Sequence, residues 1–436
     1  MSDHASHTGS AQPSRRSFLK TSTAAVTTGA LAANLMLPTG AHAGESNILK
    51  VGLIGCGGRG TGAAKDALSA DPNTKLVAMA DTFADKIEIK LSELKKQKIA
   101  DRVDVAEDMK FVGFDAYKQL LATDVDVVLL TTPPHFRPQQ LQAAIDAGKH
   151  VFAEKPVAVD APGVRAVMET CKQAKEKNLS VVSGLCWRYH YGKRAALDQV
   201  LSGGIGDVVS IQCTYNTSGL WHHDRQPGWS DMEWQLRNWL YFTWLSGDHI
   251  NEQHIHSLDK MAWAMGDEPP IKATGIGGRL SRTDPKYGNV YDHFSTVYEY
   301  PNGVKGFASC RQQNGCDNNV TDFVMGSKGI CNVFGHKTVD LAGKPLWKYK
   351  GENNNMYKTE HEELFSSIRN NAPINNGEYM TRSTLLAIMG RMSAYTGKTI
   401  TWEDAMNSKE NLTPPKYDWV SMDVAPIAMP GVTQFS

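Results

Sequence analysis

An excess of either charge is missing from this chain. Lys plus Arg and Asp plus Glu number 46 each in 436 residues, so there is no electrostatic case for nucleic acid or a charged membrane surface as partner. Cysteine is scarce and unpatterned: seven residues with no C-x-x-C, which argues against a zinc ribbon or a disulfide scaffold. Cys310 and Cys316 are near enough in sequence to pair, but two free buried thiols are the preferred reading. No internal repeat or low-complexity tract follows residue 44. No ordinary membrane span is present either, because the Ala/Thr/Leu run from Thr21 to Leu37 is too short and too polar for one. What remains is length enough for two domains with a core each.

The first residues read as an address rather than as fold. Ser14-Arg15-Arg16-Ser17-Phe18-Leu19-Lys20 has the form of a twin-arginine signal, and Ala41-His42-Ala43 supplies the small residues of a cleavage site before Gly44. Residues 1–43 are therefore expected to be a signal peptide that engages the twin-arginine export machinery. The protein would be periplasmic or exported, or tethered to the membrane by an uncleaved signal.

The organising stretch follows. Leu49, Val51, Leu53 and Ile54 form a short apolar run that feeds Gly55-Cys56-Gly57-Gly58-Arg59-Gly60, and Ala63, Ala64, Ala67 and Leu68 then mark a helix. In a strand–turn–helix of this kind the first glycine permits the tight turn, the second lets backbone approach a pyrophosphate, and the third lets helix pack on strand. The helix N-terminus adds free N–H groups for the phosphates. A second apolar run, Leu76–Ala80, ends in Asp81 where a ribose-binding carboxylate belongs. Asp81 favours NAD over NADP, because a carboxylate repels a 2′-phosphate and no Arg follows immediately. The alternative is a structural turn followed by a surface Asp.

Strand and helix alternate from about 48 to 185. Val125–Leu130 reads as a central parallel strand, His150–Ala153 as another ending at Glu154-Lys155-Pro156, and Leu179–Gly184 as a third, with a helix from Pro162 to about Lys177. This pattern predicts a Rossmann domain with a doubly wound parallel sheet. Beyond Trp187 the texture changes to strand-like runs with few helices, and Pro301-Asn302-Gly303 signals a hairpin. Residues 186–420 are expected to form a C-terminal α/β domain with a large, mostly antiparallel open sheet, and 421–436 a tail.

One helix in that second region is expected to carry chemistry. Ser246-Gly247-Asp248 offers N-cap residues, Leu258, Met261, Ala262 and Met265 recur as a core stripe, and Gly266 ends the helix. Glu252, His256, Asp259 and Trp263 fall on a different face. Two carboxylates flanking an imidazole can set its tautomer and let it exchange a proton with a substrate hydroxyl. A merely solvated stripe is the competing reading, and Glu252-x-His254-x-His256 on a strand would look like a metal site; the helical period disfavours the latter, and no metal is expected.

The order Gly55-x-Gly57-x-x-Gly60, Thr132-Pro133, Glu154-Lys155-Pro156, Trp187-Arg188-Tyr189, Ile205-Gly206-Asp207, His256-x-x-Asp259 and Thr399–Asp404 resembles the Gfo/Idh/MocA family of glucose–fructose oxidoreductases, inositol dehydrogenases and related sugar dehydrogenases. The resemblance runs from about 48 to 420. It implies that Lys155 sits between nicotinamide and substrate, and that Thr132, Pro133, His135, Glu154, Trp187 and Arg188 join the glycine turn and Asp81 around the cofactor. It further implies a homo-oligomer built through the large sheet. In the family an Asp stands four residues before the catalytic His, where this chain has Glu252; a His often found five residues after the Thr-Pro threonine is replaced by Arg137.

Together these readings predict an NAD(P)-dependent oxidoreductase acting on a sugar, polyol or sugar derivative, with Lys155, His256, Glu252 and Asp259 as catalytic residues. A glycosidase using transient oxidation by held NAD, and a non-catalytic NAD- or sugar-binding relative, are the alternatives. Trp221, Trp229, Trp234, Trp239 and Trp244 precede the helix, either to stack on a sugar or to fill the core.

Overall fold

Short apolar strands separated by amphipathic helices have one stable arrangement, a sheet buried on both faces, and the first half of the chain adopts it. The computed structural model describes residues 47–435. The twin-arginine segment and its cleavage site lie outside the described residues. Strands β1 (Leu49–Ile54), β2 (Thr74–Asp81), β3 (Lys110–Val112), β4 (Val127–Leu130), β5 (His150–Ala153) and β6 (Val181–Ser183) pair in parallel in the order β3-β2-β1-β4-β5-β6. Strand order reverses between β1 and β4, and in open sheets of this kind a ligand lies beyond the strands' carboxyl ends at that point.

The second sheet has nine strands: β7 (Val208–Thr217), β8 (Lys272–Gly278), β9 (His293–Glu299), β10 (Lys305–Gln312), β11 (Asn319–Gly326), β12 (Gly329–Asn332), β13 (Lys337–Asp340), β14 (Pro345–Lys348) and β15 (Ile400–Thr401). All its pairings are antiparallel except β7 with β10. The β9–β10 turn is Pro301-Asn302-Gly303, with φ of 64° at Asn302 and 80° at Gly303, the left-handed conformations that make Asn-Gly a hairpin signal. One face of β10 (Gly306, Ala308, Cys310) is buried, and Gly306 is pressed against Met261 of the covering helix Ile255–Ala264. On that helix Leu258 and Met261 are fully buried, each stabilising by about 1.5–3 kcal/mol.

Two features differ from the sequence reading. The helix Met356–Arg369, whose residues fall within the 186–420 span, packs on the helix Gly58–Ala70, and its Leu364 and Phe365 complete the apolar cluster of Val51, Ala63, Ala64 and Ala67. Its small-residue partner face allows the close approach. Cys316 is exposed, so the paired expectation of two buried thiols holds only for Cys310. The long helix Gly377–Thr396 packs both on the helix Ala161–Glu176 of the first region and on β8, joining the two sheets' layers. Residues 409–435 form no helix or strand, yet they are anchored, with Tyr291 Oη donating to the Ala428 carbonyl at 2.8 Å and Gly431 N to the Thr396 carbonyl at 2.9 Å.

Candidate active site

The glycine turn has the mechanical form that its spacing predicts. Gly55 has φ 97°, and a Cβ there would lie 2.5 Å from the Thr132 amide nitrogen. A Cβ at Gly60 would lie 2.0 Å from the Gly55 carbonyl oxygen, so helix and strand could not pack. By contrast, a Cβ on Gly57 or Gly58 would meet nothing within 4 Å. Open backbone at the start of a helix is what a pyrophosphate needs, and in this respect the residues fit a dinucleotide.

A cleft of about 430 Å³ opens above that turn. Gly55, Gly57, Gly58, Arg59, Asp81, Thr132 and Pro133 line it, together with Phe83, Lys86, Phe114 and Gln140. Asp81, at the end of β2, accepts hydrogen bonds from the amides of Cys56 (2.6 Å) and Phe83 (2.9 Å), and burial pushes its carboxyl above the usual carboxylate range. Cys56 contributes this amide, while its side chain is turned into the core. Gly60 acts through packing and does not line the cleft.

Four other residues that the resemblance placed around the cofactor do not line this cleft. His135 is buried, with Nε2 2.7 Å from Tyr417 Oη, and burial lowers it to about 4. Arg188 donates to Asp259 (2.9 Å) and Asp267 (2.6 and 3.0 Å) and lies 4.1 Å over Tyr379. Every guanidinium nitrogen is thereby engaged within the protein. Trp187 turns away from the cleft toward His256, with ring centroids 6.4 Å apart, and Lys193 Nζ lies 3.9 Å over its ring. Glu154 is buried and accepts from Arg59 Nε and, at 3.1 Å, from the Lys155 amide. Arg59 also reaches Glu360 and stacks on Tyr357 at 4.8 Å. Burial works against its charge, but the two glutamates prevail and hold it above its ordinary value.

Lys155 leaves the end of β5 and meets the second region. Its Nζ donates to Glu252 Oε1 at 2.9 Å and also to the Glu252 backbone carbonyl. The single helix expected here is split. Residues Asp248–Glu252 form one short helix and Ile255–Ala264 the next, because the chain widens at His254, whose amide bonds to the His249 carbonyl five residues back. Asp248 starts the first segment with φ 69° and is fixed by Tyr291 N (2.7 Å) and Tyr395 Oη (2.6 Å). The Gln253 side chain accepts from Gln312 Nε2 at 2.6 Å, so the break is held from the sheet.

The split separates Glu252 from the stripe on which the sequence placed it with His256 and Asp259. Glu252 serves the lysine. Asp259 is buried beneath Arg188 and accepts from Ser383 Oγ at 2.8 Å, so neither carboxylate orients the imidazole. His256 Nδ1 is buried without a hydrogen-bond partner. Burial first, then the charges of Lys155, Lys260 and Arg59, hold His256 well below its ordinary value, so the ring is neutral at physiological pH. A neutral imidazole beside an ammonium can accept a proton while the ammonium supports a developing oxyanion. His254 is buried with neither ring nitrogen bonded. Among the described residues no group of three His, Cys, Asp or Glu is arranged to hold a metal.

Residues the sequence reading did not single out complete the surroundings. Tyr215 lies stacked near His256, with centroids 6.4 Å apart, and its hydroxyl is pushed up to about 12 by burial and by Glu252. Its signal was its inward alternation with Ile211 and Cys213 on β7. Lys260, one turn beyond His256, pairs with Asp322. Lys193 is buried beside it and lowered to about 7, chiefly by burial. Arg137 donates to the carbonyls of Thr132 (2.6 Å) and Pro156, tying the Thr-Pro loop to the turn that carries Lys155.

Comparison with known proteins agrees with this geometry. A model of the oxidoreductase family's NAD-binding Rossmann fold matches residues 49–183, and one of the GFO/IDH/MocA C-terminal domain matches residues 194–332. The 2,7-anhydro-N-acetylneuraminate hydratase of Escherichia coli is 27% identical over 200 residues, 46% of this chain; the match spans about half (49%) of that relative's length. The inositol 2-dehydrogenase of Rhizobium meliloti is 26% identical over 297 residues, 67% of this chain and 78% of that one. The apo scyllo-inositol dehydrogenase of Lactobacillus casei shares the fold, with a TM-score of 0.61 at 20% identity, over 82% of this chain and 99% of that one.

Proposed function

The chain belongs to the Gfo/Idh/MocA oxidoreductase family, and from that premise we propose that it transfers a hydride between a nicotinamide dinucleotide and a sugar, polyol or sugar derivative. The observation that carries this reading is the meeting of Lys155, from the carboxyl end of β5, with Glu252, four residues before His256. The cleft fits a dinucleotide, and when bound the nicotinamide would supply the hydride acceptor. Gly55, Gly57 and Gly58 would cradle the pyrophosphate, and Asp81 would receive the ribose, which favours NAD. His256 would take the hydroxyl proton, Lys155 would stabilise charge on the reacting oxygen, and Glu252 would hold the lysine's amine in place.

The test is to combine the purified protein with NAD and a panel of free sugars and polyols and to follow nicotinamide reduction, with Lys155→Met as control. Reduction that is lost in the variant supports the reading. Nucleotide binding without any hydride exchange would instead make this a binding relative. A second reading, transient oxidation followed by elimination, addition or glycoside cleavage, draws on the similarity to a hydratase. It predicts product release from anhydro sugars or aryl glycosides without accumulation of reduced nicotinamide.

The proposed setting is export by the twin-arginine route, from the Arg15-Arg16 motif; cell fractionation of an Arg15→Lys, Arg16→Lys protein tests it. A homo-oligomer is proposed through the uncovered sheet face, where Ile276 is 71% and Phe307 47% exposed. Light scattering on Phe307→Glu tests that interface.

A further inference from the structure

Two buried lysines share one carboxylate near His256. Lys260, one turn beyond His256 on the helix Ile255–Ala264, is 1% exposed, and its Nζ lies 2.5 Å from Asp322 Oδ2. Asp322 takes an inward position on β11, next but one to Val324, where alternation would put an apolar residue. Lys193, on the helix Tyr191–Leu201, is 2% exposed. Its polar neighbour is His336 Nε2 at 3.3 Å, and among the described residues no carboxylate stands within ion-pair distance of it. The two ammoniums approach the same rings. Lys193 Nζ lies 3.9 Å and Lys260 Nζ 4.4 Å from the centroid of Trp187, and 4.7 and 5.9 Å from that of Phe334.

The surroundings leave one charge uncompensated. Lysine is almost never fully buried without a partner, and contact with two aromatic rings recovers only part of what hydration gave it. Burial and Lys260 accordingly lower the Lys193 amine to about 7. His190 and His336 are lowered to about 4, first by burial and then by Lys193, and add no charge near neutral pH. The Cys186 thiol and the Tyr215 hydroxyl are pushed up by burial and stay protonated. With both lysines protonated and Asp322 ionised, the cluster holds one net positive charge. A methionine at 193 would fill the space between the rings without that desolvation, so packing does not explain the amine.

Trp187 joins this cluster to the base, its ring 6.4 Å from that of His256 and at 71° to it. Tyr215, stacked near His256, is raised by both Glu252 and Asp322, so the lysine cluster and the Lys155–Glu252 pair flank the same rings. Phe334, on the turn between β12 and β13, screens the ammoniums and is itself 41% exposed.

We propose that Lys193, with Lys260 beside it, is a carboxylate-recognition site, and that the substrate is a sugar acid whose carboxylate pairs with Lys193 while a ring hydroxyl faces His256. The proposal rests on the reading that a sugar or sugar derivative reacts at His256. One net positive charge is matched by one negative charge, which a carboxylate carries. A phosphate ester brings about −1.5 to −2 at pH 7 and would leave charge over. An ammonium already stripped of water by the fold binds such a group through a charge-assisted hydrogen bond, and the low local dielectric strengthens it.

The test is isothermal calorimetry on the NAD-loaded protein, comparing D-glucuronate, D-galacturonate and D-mannuronate with the parent hexoses and with the hexose 6-phosphates. At least one hexuronate is expected to bind about tenfold or more tighter than its parent hexose, the margin of a charged hydrogen bond. Lys193→Met should abolish that margin and Lys193→Arg should keep a clear preference for the acid, with thermal unfolding midpoints showing both variants folded. No hexuronate preferred in the wild type, a 6-phosphate preferred over every hexuronate, or an unchanged preference in folded Lys193→Met overturns the proposal. Reduction of NAD, followed separately on the same compounds, decides the oxidoreductase reading. Oxidation of neutral hexoses with no preference for the acid removes the carboxylate site alone. Acid binding that depends on Lys193 without hydride transfer removes the oxidoreductase reading alone.

Discussion

Lys155 Nζ lies 2.9 Å from Glu252 Oε1, and the two side chains come from different sheets' layers. The pair is one physical link between the Rossmann sheet and the imidazole-bearing segment, beside the bond from Asn251 Nδ2 to the Ala158 carbonyl at 3.0 Å. Only about one-sixth of either side chain is exposed, 14% for the lysine and 16% for the glutamate, so the amine's position is set by its partner rather than by water. Lys155→Met should lower kcat by about 10²–10³ while nucleotide binding survives, the loss typical of a missing charge stabiliser. Glu252→Gln keeps an acceptor for the ammonium but removes the carboxylate's charge, so the ion pair becomes an ion–dipole bond, and kcat should fall about tenfold. Steady-state kinetics on the two variants check both. Unchanged kcat in Lys155→Met would remove the lysine from the chemistry.

His256 gives the second prediction, which concerns pH. Its ring is held neutral by burial and by neighbouring cations, so activity that needs a free base should persist below pH ~6.5, the ordinary histidine value. The acid limb of kcat/KM is expected clearly below that value. Removing a nearby cation favours the protonated ring, so Lys155→Met should move the His256 titration upward. Histidine-resolved NMR reads that shift, and a titration that stays put or falls would show that Lys155 does not act on the ring.

Much of this arrangement was legible in the sequence for local reasons. Gly55, Gly57, Gly60 and Asp81 are fixed by steric needs within one strand–turn–helix, and the apolar runs of β1, β4 and β5 by burial on two faces. The pairing of polar groups was not legible. Period placed Glu252, His256 and Asp259 on one stripe, but a single widened turn at His254, fixed by Gln253 and its sheet partner Gln312, reassigned each of them. Arg188 was expected at the cofactor from the family resemblance of Trp187-Arg188-Tyr189. Its actual partners, Asp259 and Asp267, are 71 and 79 residues away, a distance over which spacing carries no information. The packing of Tyr417 and Trp419 on Phe83 and Phe114 escaped for the same reason.

Arg188 accordingly yields a prediction about stability rather than catalysis. Its guanidinium compensates Asp259, which is 1% exposed. Arg188→Met would leave a buried carboxylate with Ser383 as its remaining partner, at a cost of about 3–5 kcal/mol. Denaturant unfolding should show that loss, while the nucleotide affinity of the folded fraction stays close to wild type. A large loss of affinity with unchanged stability would restore Arg188 to the cofactor site.

His361 closes the set with a sign that runs the other way. The ring is fully buried against Phe152, centroids 4.3 Å apart, with neither nitrogen bonded, and burial lowers it to about 3. In the unfolded chain the same group titrates near 6.5. The folded state therefore binds fewer protons wherever the pH lies between these values. Its contribution to stability is fully present above about pH 6.5 and falls by about 1.4 kcal/mol per unit as the pH drops toward 3. His361→Leu removes that dependence and fills a similar volume with apolar atoms. Other groups that titrate in the same window are common to both proteins and cancel in the difference. Relative to wild type, the variant should gain about 2 kcal/mol between pH 7 and pH 5. Urea unfolding at the two pH values measures it, and parallel stability curves for the two proteins would mean that the imidazole finds a proton partner inside the fold.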